Sequence, residues 1–318
     1  MANYSDAWPS SGAPSDESRY HECMPVLASP TQPIVTRRSL LKAGIGGVVG
    51  LAAYSNVIAR HWIEVTRRDI RLGGLAAAFD GLRIAQLSDI HMDEFTEPFF
   101  LHHVIDQINL LQPDIVLLTG DYVSYEIGSR HFAIGSAWQC ANILTSLRCP
   151  QLYAILGNHD VSVNAKEVTL ALRANGITVL NNACLPLERR GARIWLAGVD
   201  DPLEGNPKPE LAIPASIRNV PNEPVILMCH APDYADDLLA HPAGKAVDLM
   251  LSGHTHGGQV RLPLLGAMQL PAMGKKYVEG WFQLGRMQLY VNRGIGTVGI
   301  PFRLDCPPEI TLLTLRTA

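Results

Sequence analysis

Val247-Asp248-Leu249-Met250-Leu251-Ser252-Gly253-His254-Thr255-His256-Gly257-Gly258-Gln259 is the stretch on which the reading of this chain turns. It opens as an apolar run of strand length and stops at two histidines framed by glycines. A run this short, closed by glycine, has the dimensions of a buried β-strand. His254 and His256 stand two positions apart, and in an extended segment they point to the same side. Gly257 and Gly258 let the backbone turn sharply beside them.

Working outward, the same arrangement recurs. Leu82–Leu87 runs into Ser88-Asp89-Ile90-His91, Ile115–Thr119 into Gly120-Asp121, Leu152–Leu156 into Gly157-Asn158-His159-Asp160, and Val225–Cys229 into His230. Ile194–Val199, Gln288–Val291 and Ile310–Leu315 are further apolar runs of strand length. Between the first two runs lies a helical pattern, with Pro98 in its first turn and Phe100, Val104, Ile108 and Leu111 on one face. A second helix is expected over Ala165–Ala174, stopped by Asn175-Gly176, and a third after Asp233, a good capping residue. Strands alternating with helices indicate a layered α/β domain. In such sheets ligands bind outside the carboxyl ends of the strands, where these Asp, Asn and His residues cluster.

One aspartate or histidine at a strand end is usually a turn residue. Seven in order, Asp89, His91, Asp121, Asn158, His230, His254 and His256, are more than turns require. Carboxylate, imidazole and amide oxygen suit Mn, Fe, Zn or Mg, and no cysteine joins the set. A lone structural zinc needs four ligands. Seven fit two divalent ions sharing a carboxylate, an arrangement that clamps both oxygens of a displacement at phosphorus. His102 and His103, on the helical pattern, and His131 read as solvated, and Asn182, Asp200 and Asp201 follow strands without joining the set.

Asp-x-His, Gly-Asp, Gly-Asn-His-Asp, a lone His after a strand and Gly-His-x-His, in this order, resemble the calcineurin-like metallophosphoesterases over roughly residues 80–318. The resemblance implies a four-layer α/β/β/α sandwich with a dinuclear metal site at the C-terminal ends of its strands. By position, it implies that Asp89, His91 and His256 hold one metal, Asn158, His230 and His254 the other, and that Asp121 bridges them. It implies that His159 is catalytic, protonating the leaving oxygen or stabilising charge at phosphorus, with Asp160 orienting its imidazole. The longer blocks Gly253–Gln259 and Asn292-Arg293-Gly294-Ile295-Gly296 resemble a bacterial membrane-associated branch containing phosphodiesterases and UDP-2,3-diacylglucosamine pyrophosphatases. Arg293 is a candidate fork for substrate phosphate, or else a structural partner of Asp305 or Glu309. A catalytically silent adaptor of the same fold is the rival from another class, but the full ligand set and His159 argue against it.

The N-terminal end reads differently. Residues 1–36 are rich in Pro, Ser and Asp and are expected to be disordered. Arg37-Arg38-Ser39-Leu40-Leu41-Lys42 leads into the weakly apolar run Ala43–Ala59, resembling a twin-arginine export signal, with an ordinary signal anchor or a buried helix as the alternative; no clean cleavage site precedes Arg60, which favours retention as an anchor. This places residues 60–318, the catalytic domain, at the cell membrane on its extracytoplasmic side, with the export machinery and the membrane as partners. The expected reaction is metal-dependent hydrolysis of a phosphodiester or pyrophosphate, with a lipid-linked substrate favoured over a soluble diester by proximity. With 318 residues, 47% hydrophobic, and a net charge of −4, the chain buries a sizeable core and offers no broad basic field for nucleic acid. Arg60, Arg67, Arg68 and Arg71 form a short basic cluster better suited to lipid head groups. Its six cysteines form no CxxC and read mostly as thiols, although the Cys140–Cys149 spacing leaves a disulfide open.

Overall fold

The computed structural model describes residues 36–92, 95–125 and 130–318. The segment expected to be disordered, apart from Thr36, lies outside them, as does the side chain of His131. The chain divides into two compact units, Met1–Gly46 and Gly47–Ala318. The described part of the first is helical from Arg37, and Ser39 N–H donates to Thr36 Oγ1 at 3.1 Å, a cap for the orphan amides of the first turn. Helix α1 (Arg37–Ala53) runs on through two short irregular turns to His61, and Arg37–His61 is long and apolar enough to cross a membrane.

In the second unit the strands are β1 (Glu64–Leu72), β2 (Arg83–Leu87), β3 (Ile115–Leu118), β4 (Leu152–Ala154), β5 (Thr178–Val179), β6 (Ala183–Arg189) and β7 (Ala192–Gly198). They continue as β8 (Val225–Met228), β9 (Val247–Ser252), β10 (Arg261–Leu262), β11 (Gly266–Ala267), β12 (Gly280–Leu284), β13 (Met287–Val291) and β14 (Glu309–Thr317). The helices are α2 (Pro98–Leu111), α3 (Arg130–Leu144), α4 (Asn158–Ala174), α5 (Pro209–Ala212) and α6 (Tyr234–Ala240). One sheet has the order β1-β14-β2-β3-β4-β5, the other β12-β13-β9-β8-β7-β6, and β10 and β11 form a separate hairpin.

The central strands are apolar throughout because both of their faces are buried. In β3, Leu117 packs between the sheets while Val116 and Leu118 face the helices; in β9, Leu249 and Leu251 face inward and Met250 outward. The inter-sheet layer joins Ile84, Leu117 and Leu313 to Leu196, Ile226, Leu249 and Tyr290. Phe100, Val104 and Ile108 of α2, with Leu144 of α3 and Leu172 of α4, cover the first sheet. Ala212 of α5 and Ala235 and Leu238 of α6 cover the second, which completes an α/β/β/α sandwich. Truncating any of these buried leucines to alanine costs roughly 2–5 kcal/mol. Within each sheet the strands β2-β3-β4-β5 and β7-β8-β9-β13 run parallel, so their carboxyl ends open toward one rim.

Two expectations need correction, and the thiol reading of the described cysteines holds. The helix expected from Ala165 begins at Asn158 and merges across an extended residue, Asn164, so it starts inside the Gly-Asn-His-Asp block. Asp233 does precede α6, but its carboxylate makes no cap; it accepts amides from Lys275, Lys276 and Tyr277 instead, tying the loop before β12 to α6. Cys140 and Cys149 are both thiols, so the disulfide left open by their spacing does not form.

Candidate metal centre

Each central strand ends by handing polar residues to the same rim. β2 delivers Asp89 and His91, β3 delivers Asp121, β4 runs into Asn158 and His159 at the start of α4, β8 delivers His230, and β9 delivers His254 and His256. Two groups result. The ligand atoms of Asp89, His91 and His256 lie within 4.8 Å of one another, and so do those of Asp121, His230 and His254. The groups touch through their carboxylates: Asp121 Oδ2 is 3.0 Å from His230 Nε2 and 3.6 Å from His91 Nε2. Asp89 Oδ1 is 3.5 Å from His256 Nε2 and 3.9 Å from His230 Nε2.

The backbone that makes this convergence is strained. Asp89, His91, Asp121, His254 and His256 all have φ between 48° and 74°, a region that ordinary side chains avoid and that persists only where surroundings enforce it. The reason is local: five residues must leave strands and turn their side chains inward within one step. His254 and His256 therefore belong to a tight turn and not to an extended segment, which corrects the geometry assumed for them; they serve different groups because the turn splays them. Gly157 shows how close the packing is. A Cβ there would stand 2.7 Å from Asp121 Cγ and 2.8 Å from its amide nitrogen. The loop atoms are tied to one another, Asp89 N–H donating to Gly120 O at 2.9 Å and His254 N–H to Asp89 Oδ1 at 2.9 Å.

Ring nitrogens are committed in a way that leaves ligand atoms bare. His230 Nδ1 donates to Thr119 O at 2.7 Å and His254 Nε2 to Ala272 O at 2.7 Å, which turns the opposite nitrogen of each ring toward the cluster. His91 is held by Ser124 Oγ at 3.0 Å from its Nδ1. His91 Nε2 and His256 Nε2 face each other at 3.1 Å, a contact of two like atoms that a cation between them would relieve. Among the described residues, Asn158 Oδ1 and His230 Nε2 are buried without a hydrogen-bond partner; His230 Nε2, although near Asp121 Oδ2, is misaligned for one. Orphaned, buried oxygen and nitrogen donors with no sulfur among them fit divalent cations of the Mn, Fe, Zn or Mg kind.

The electrostatics agree. Burial pushes His91 down to about 3 and His254 down to about 4, and drives His256 well below the usual imidazole range, so these rings are neutral, the form that binds metal. Burial raises the Asp89 carboxyl to about 6, against the pull of His230. Burial would raise Asp121 as well, but the imidazoles of His230, His159 and His91 around it hold it well below the usual range. Burial would lower His230, yet the carboxylates of Asp121 and Asp89 outweigh it and hold the ring well above its ordinary value. The two buried carboxylates, Asp89 and Asp121, thus place negative charge where the ligand groups meet.

His159 is half-buried, and its ring meets that of His91 edge-on, 4.9 Å between centroids. Tyr125 N–H donates to His159 Nδ1 at 2.8 Å, so a neutral ring carries its proton on Nε2. Asp160, expected to orient this imidazole, does not. Its carboxylate is fully buried and accepts the amides of Asp121 at 2.7 Å, Tyr122 at 2.9 Å and Gly157 at 2.9 Å. It staples the Gly120-Asp121 turn to the Gly157-Asn158 turn, because those amides have no strand partner left. Arg293 also departs from the phosphate-binding expectation: Glu64 at 2.9 Å and Glu309 at 3.2 Å hold its guanidinium, the structural alternative with Glu309 in place. Asp200 lies in a turn, accepting Asp201 and Asn206 amides, outside both ligand groups. His102 and His103 are exposed.

Arg303 is the residue the sequence reading missed. It is fully buried and donates to the carbonyls of Arg293, Gly294, Gly296 and Cys306, at 2.6–3.1 Å. That loop in turn lies on the metal cluster, Gly296 N–H donating to Asp89 O at 2.7 Å. No motif surrounds Arg303 in sequence, so only the fold could reveal it.

Comparison with known proteins is consistent with this geometry. Residues 82–258 match the family model of the calcineurin-like phosphoesterases. The chain is 34% identical to the uncharacterized metallophosphoesterase YkuE of Bacillus subtilis, over 89% of this chain and 98% of that one. It is 31% identical to the phosphodiesterase YaeI of Escherichia coli, over 89% of this chain and all of the other. It is 26% identical to the UDP-2,3-diacylglucosamine pyrophosphatase LpxG of Chlamydia trachomatis, over 82% of this chain and 91% of that one. With the strand-end ligand groups in place and the family model matched over more than half its length, the chain belongs to the calcineurin-like phosphoesterases, hydrolases that act on phosphoric ester bonds at a dinuclear divalent metal site.

Proposed function

We propose that the chain hydrolyses a phosphodiester or pyrophosphate bond of a lipid-linked substrate at the outer face of a cell membrane. In this reading Asp89, His91 and His256 hold one divalent cation, Asn158, His230 and His254 a second, and Asp121 lies between them. Cations so paired neutralise phosphoryl charge and acidify the attacking water. The chain's own groups do the rest. His159, its Nδ1 held by the Tyr125 amide, presents Nε2–H as a hydrogen-bond donor to the charge that develops on the phosphoryl and leaving oxygens. Asp160 holds the two turns that carry Asp121 and Asn158 at a constant separation. Above all, the reading is supported by two ligand groups that meet at a buried carboxylate, beside a half-buried imidazole belonging to neither.

The membrane half of the proposal is supported by Arg37–His61, long and apolar enough to span, and by the paired arginines at its start, which suit twin-arginine export. A lipid-linked pyrophosphate is favoured by the similarity to LpxG, a UDP-2,3-diacylglucosamine pyrophosphatase, and a phosphodiester, which in the second reading is soluble, by the similarity to the phosphodiesterase YaeI. The test uses the metal-stripped protein, with Mn, Fe, Zn and Mg restored singly, against chromogenic mono- and diesters and against acylated nucleotide sugars or phospholipids in vesicles. A chain beginning at Tyr54 is the matched control, because Ser55 and Asn56 hydrogen-bond to the catalytic unit and must be kept. Preferential loss of vesicle activity in that shortened chain is expected. Equal activity of both forms on a soluble diester, with no lipid turnover in either, favours the second reading.

A further inference from the structure

Leu262-Pro263-Leu264-Leu265-Gly266-Ala267-Met268-Gln269-Leu270-Pro271-Ala272-Met273 contains no charged residue and a single polar one. Such a stretch normally fills a core, yet here it stands outside. The β10–β11 hairpin turns at Leu264, which is fully exposed with φ at 70°, and Leu265 is 75% exposed; Met268 is exposed as well. An unbroken apolar loop held out in water by a tight hairpin, and not scattered single side chains, marks an interaction surface.

The loop leaves and re-enters the fold at the metal cluster. It follows the His256–Gly258 turn directly, and on its return Ala272 O accepts the Nε2 proton of His254 at 2.7 Å. Its root is also bonded to the exit of the long apolar helical stretch. Arg261 N–H donates to Leu304 O, and Leu304 N–H to Gln259 O; Arg303 N–H next to it donates to Ser55 O, Ser55 Oγ donates to Arg303 O, and Asn56 Nδ2 to Pro301 O. The stretch that is long and apolar enough to cross a bilayer therefore ends against the same few backbone atoms from which the apolar hairpin rises. Val57 and Ile58 at the end of that stretch, and Ile300 beside Pro301, are exposed apolar side chains as well. Charge does not select the occupant: Arg261 is paired with Glu279 and Lys276 with Asp236.

We propose that the Leu262–Met273 loop is a second membrane contact, inserting Leu264 and Leu265 among lipid acyl chains so that the rim bearing the metal cluster is held against the bilayer surface. The inference rests on the membrane-surface reading above, and adds to it that the catalytic unit itself, not only its tether, touches lipid. A hairpin tip is suited to shallow insertion because its backbone groups pair across β10 and β11, while the tip side chains replace water with hydrocarbon.

The full-length chain is placed in phosphatidylglycerol/phosphatidylethanolamine vesicles with an environment-sensitive nitrobenzoxadiazole label on Leu264→Cys. A second label on Arg190→Cys, in the turn between β6 and β7 at the opposite sheet edge, is the control, and the labelled parent chain supplies the background. The expected result is blue-shifted emission at position 264, quenched by nitroxides carried on the lipid chains, with water-like emission at position 190. Separately, Leu264→Glu with Leu265→Glu, both at exposed positions, should retain metal content and lower turnover of vesicle lipid about 10²-fold, each leucine's burial being worth about a factor of ten. Lipid quenching at position 264 with no turnover of any lipid phosphoester would still establish the contact while removing the lipid substrate. Water-like emission at both positions overturns the proposal. So does a shift that disappears on dilution to one chain per vesicle, which would assign the loop to a second copy of the chain.

Discussion

Replacing Gly157 by alanine puts a methyl group where Asp121 already is. The new Cβ stands 2.7 Å from Asp121 Cγ and 2.8 Å from the Asp121 amide nitrogen. Asp121 Oδ1 is nearer still, and ordinary contact begins at 3.4 Å, so the backbone must retreat by roughly 0.6 Å and the carboxylate by about 1 Å. Neither is free to do so, since Asp121 N–H is bonded to Asp160 and Asp121 Oδ1 accepts the amide of His159. Metal–ligand distances tolerate about 0.2 Å, and a misplacement near 1 Å at a reacting centre is worth about 10²-fold in rate. Gly157→Ala should therefore lose at least one metal, read by elemental analysis, and about 10²-fold in phosphodiester turnover. Gly135→Ala is the control: Gly135 is exposed on α3, a Cβ there meets nothing within 4 Å, and the change should stabilise the fold by about 0.5–1 kcal/mol at full activity. Two bound metals and parental turnover in Gly157→Ala would refute the placement of Asp121 between the two ligand groups.

Other consequences are equally direct. His159→Asn should keep both metals and lose roughly 10²–10⁴-fold in turnover, less for substrates with good leaving groups; loss of metal would make it a ligand. Asp160→Asn presents an amide NH₂ to amides that need an acceptor, so metal affinity measured by competitive chelation should fall about 10–100-fold. Arg303→Met leaves up to four buried carbonyls unpaired and should cost about 3 kcal/mol by denaturant unfolding, with unchanged stability refuting the assigned bonds. Arg37→Lys with Arg38→Lys should trap the protein inside the cell, read by a reporter fused after Ala318; unchanged export would discard the twin-arginine reading.

What the sequence made legible was whatever burial on two faces forces into it. The central strands are continuous apolar runs, and polar residues at their ends stand out against them; β2, β3, β4, β8 and β9 and all seven candidate ligands could be found that way. The edge strands could not. β1 carries Arg67, Arg68 and Asp69 and pairs on one side only, so its pattern resembles a loop, and β6 and β12 are similarly half-exposed. Asp160 was found but misread, because adjacency to His159 suggested a partnership, whereas a helix start turns consecutive side chains in different directions. Arg293 was left between a phosphate fork and a structural pair; Glu309, one of the partners named, does hold it, while its other partner, Glu64, could not be anticipated because it lies far away in sequence.

The pairing of β1 with β14 carries a further consequence, one of timing. Glu64 to Leu72 lies beside Glu309 to Thr317 in parallel register, and β14 separates β1 from β2. β1 must therefore wait for β14 to leave the ribosome, and until then its backbone groups have no partner among the described strands of the sheet. A pairing of such sequence separation forms late and slowly, leaving the edge of β2 open in the interval. A nascent chain without Glu309–Thr317 lacks β14 and with it the strand that, among the described residues, links β1 to the first sheet. Emergence of β14 is in this way built into the fold as a condition for closing it.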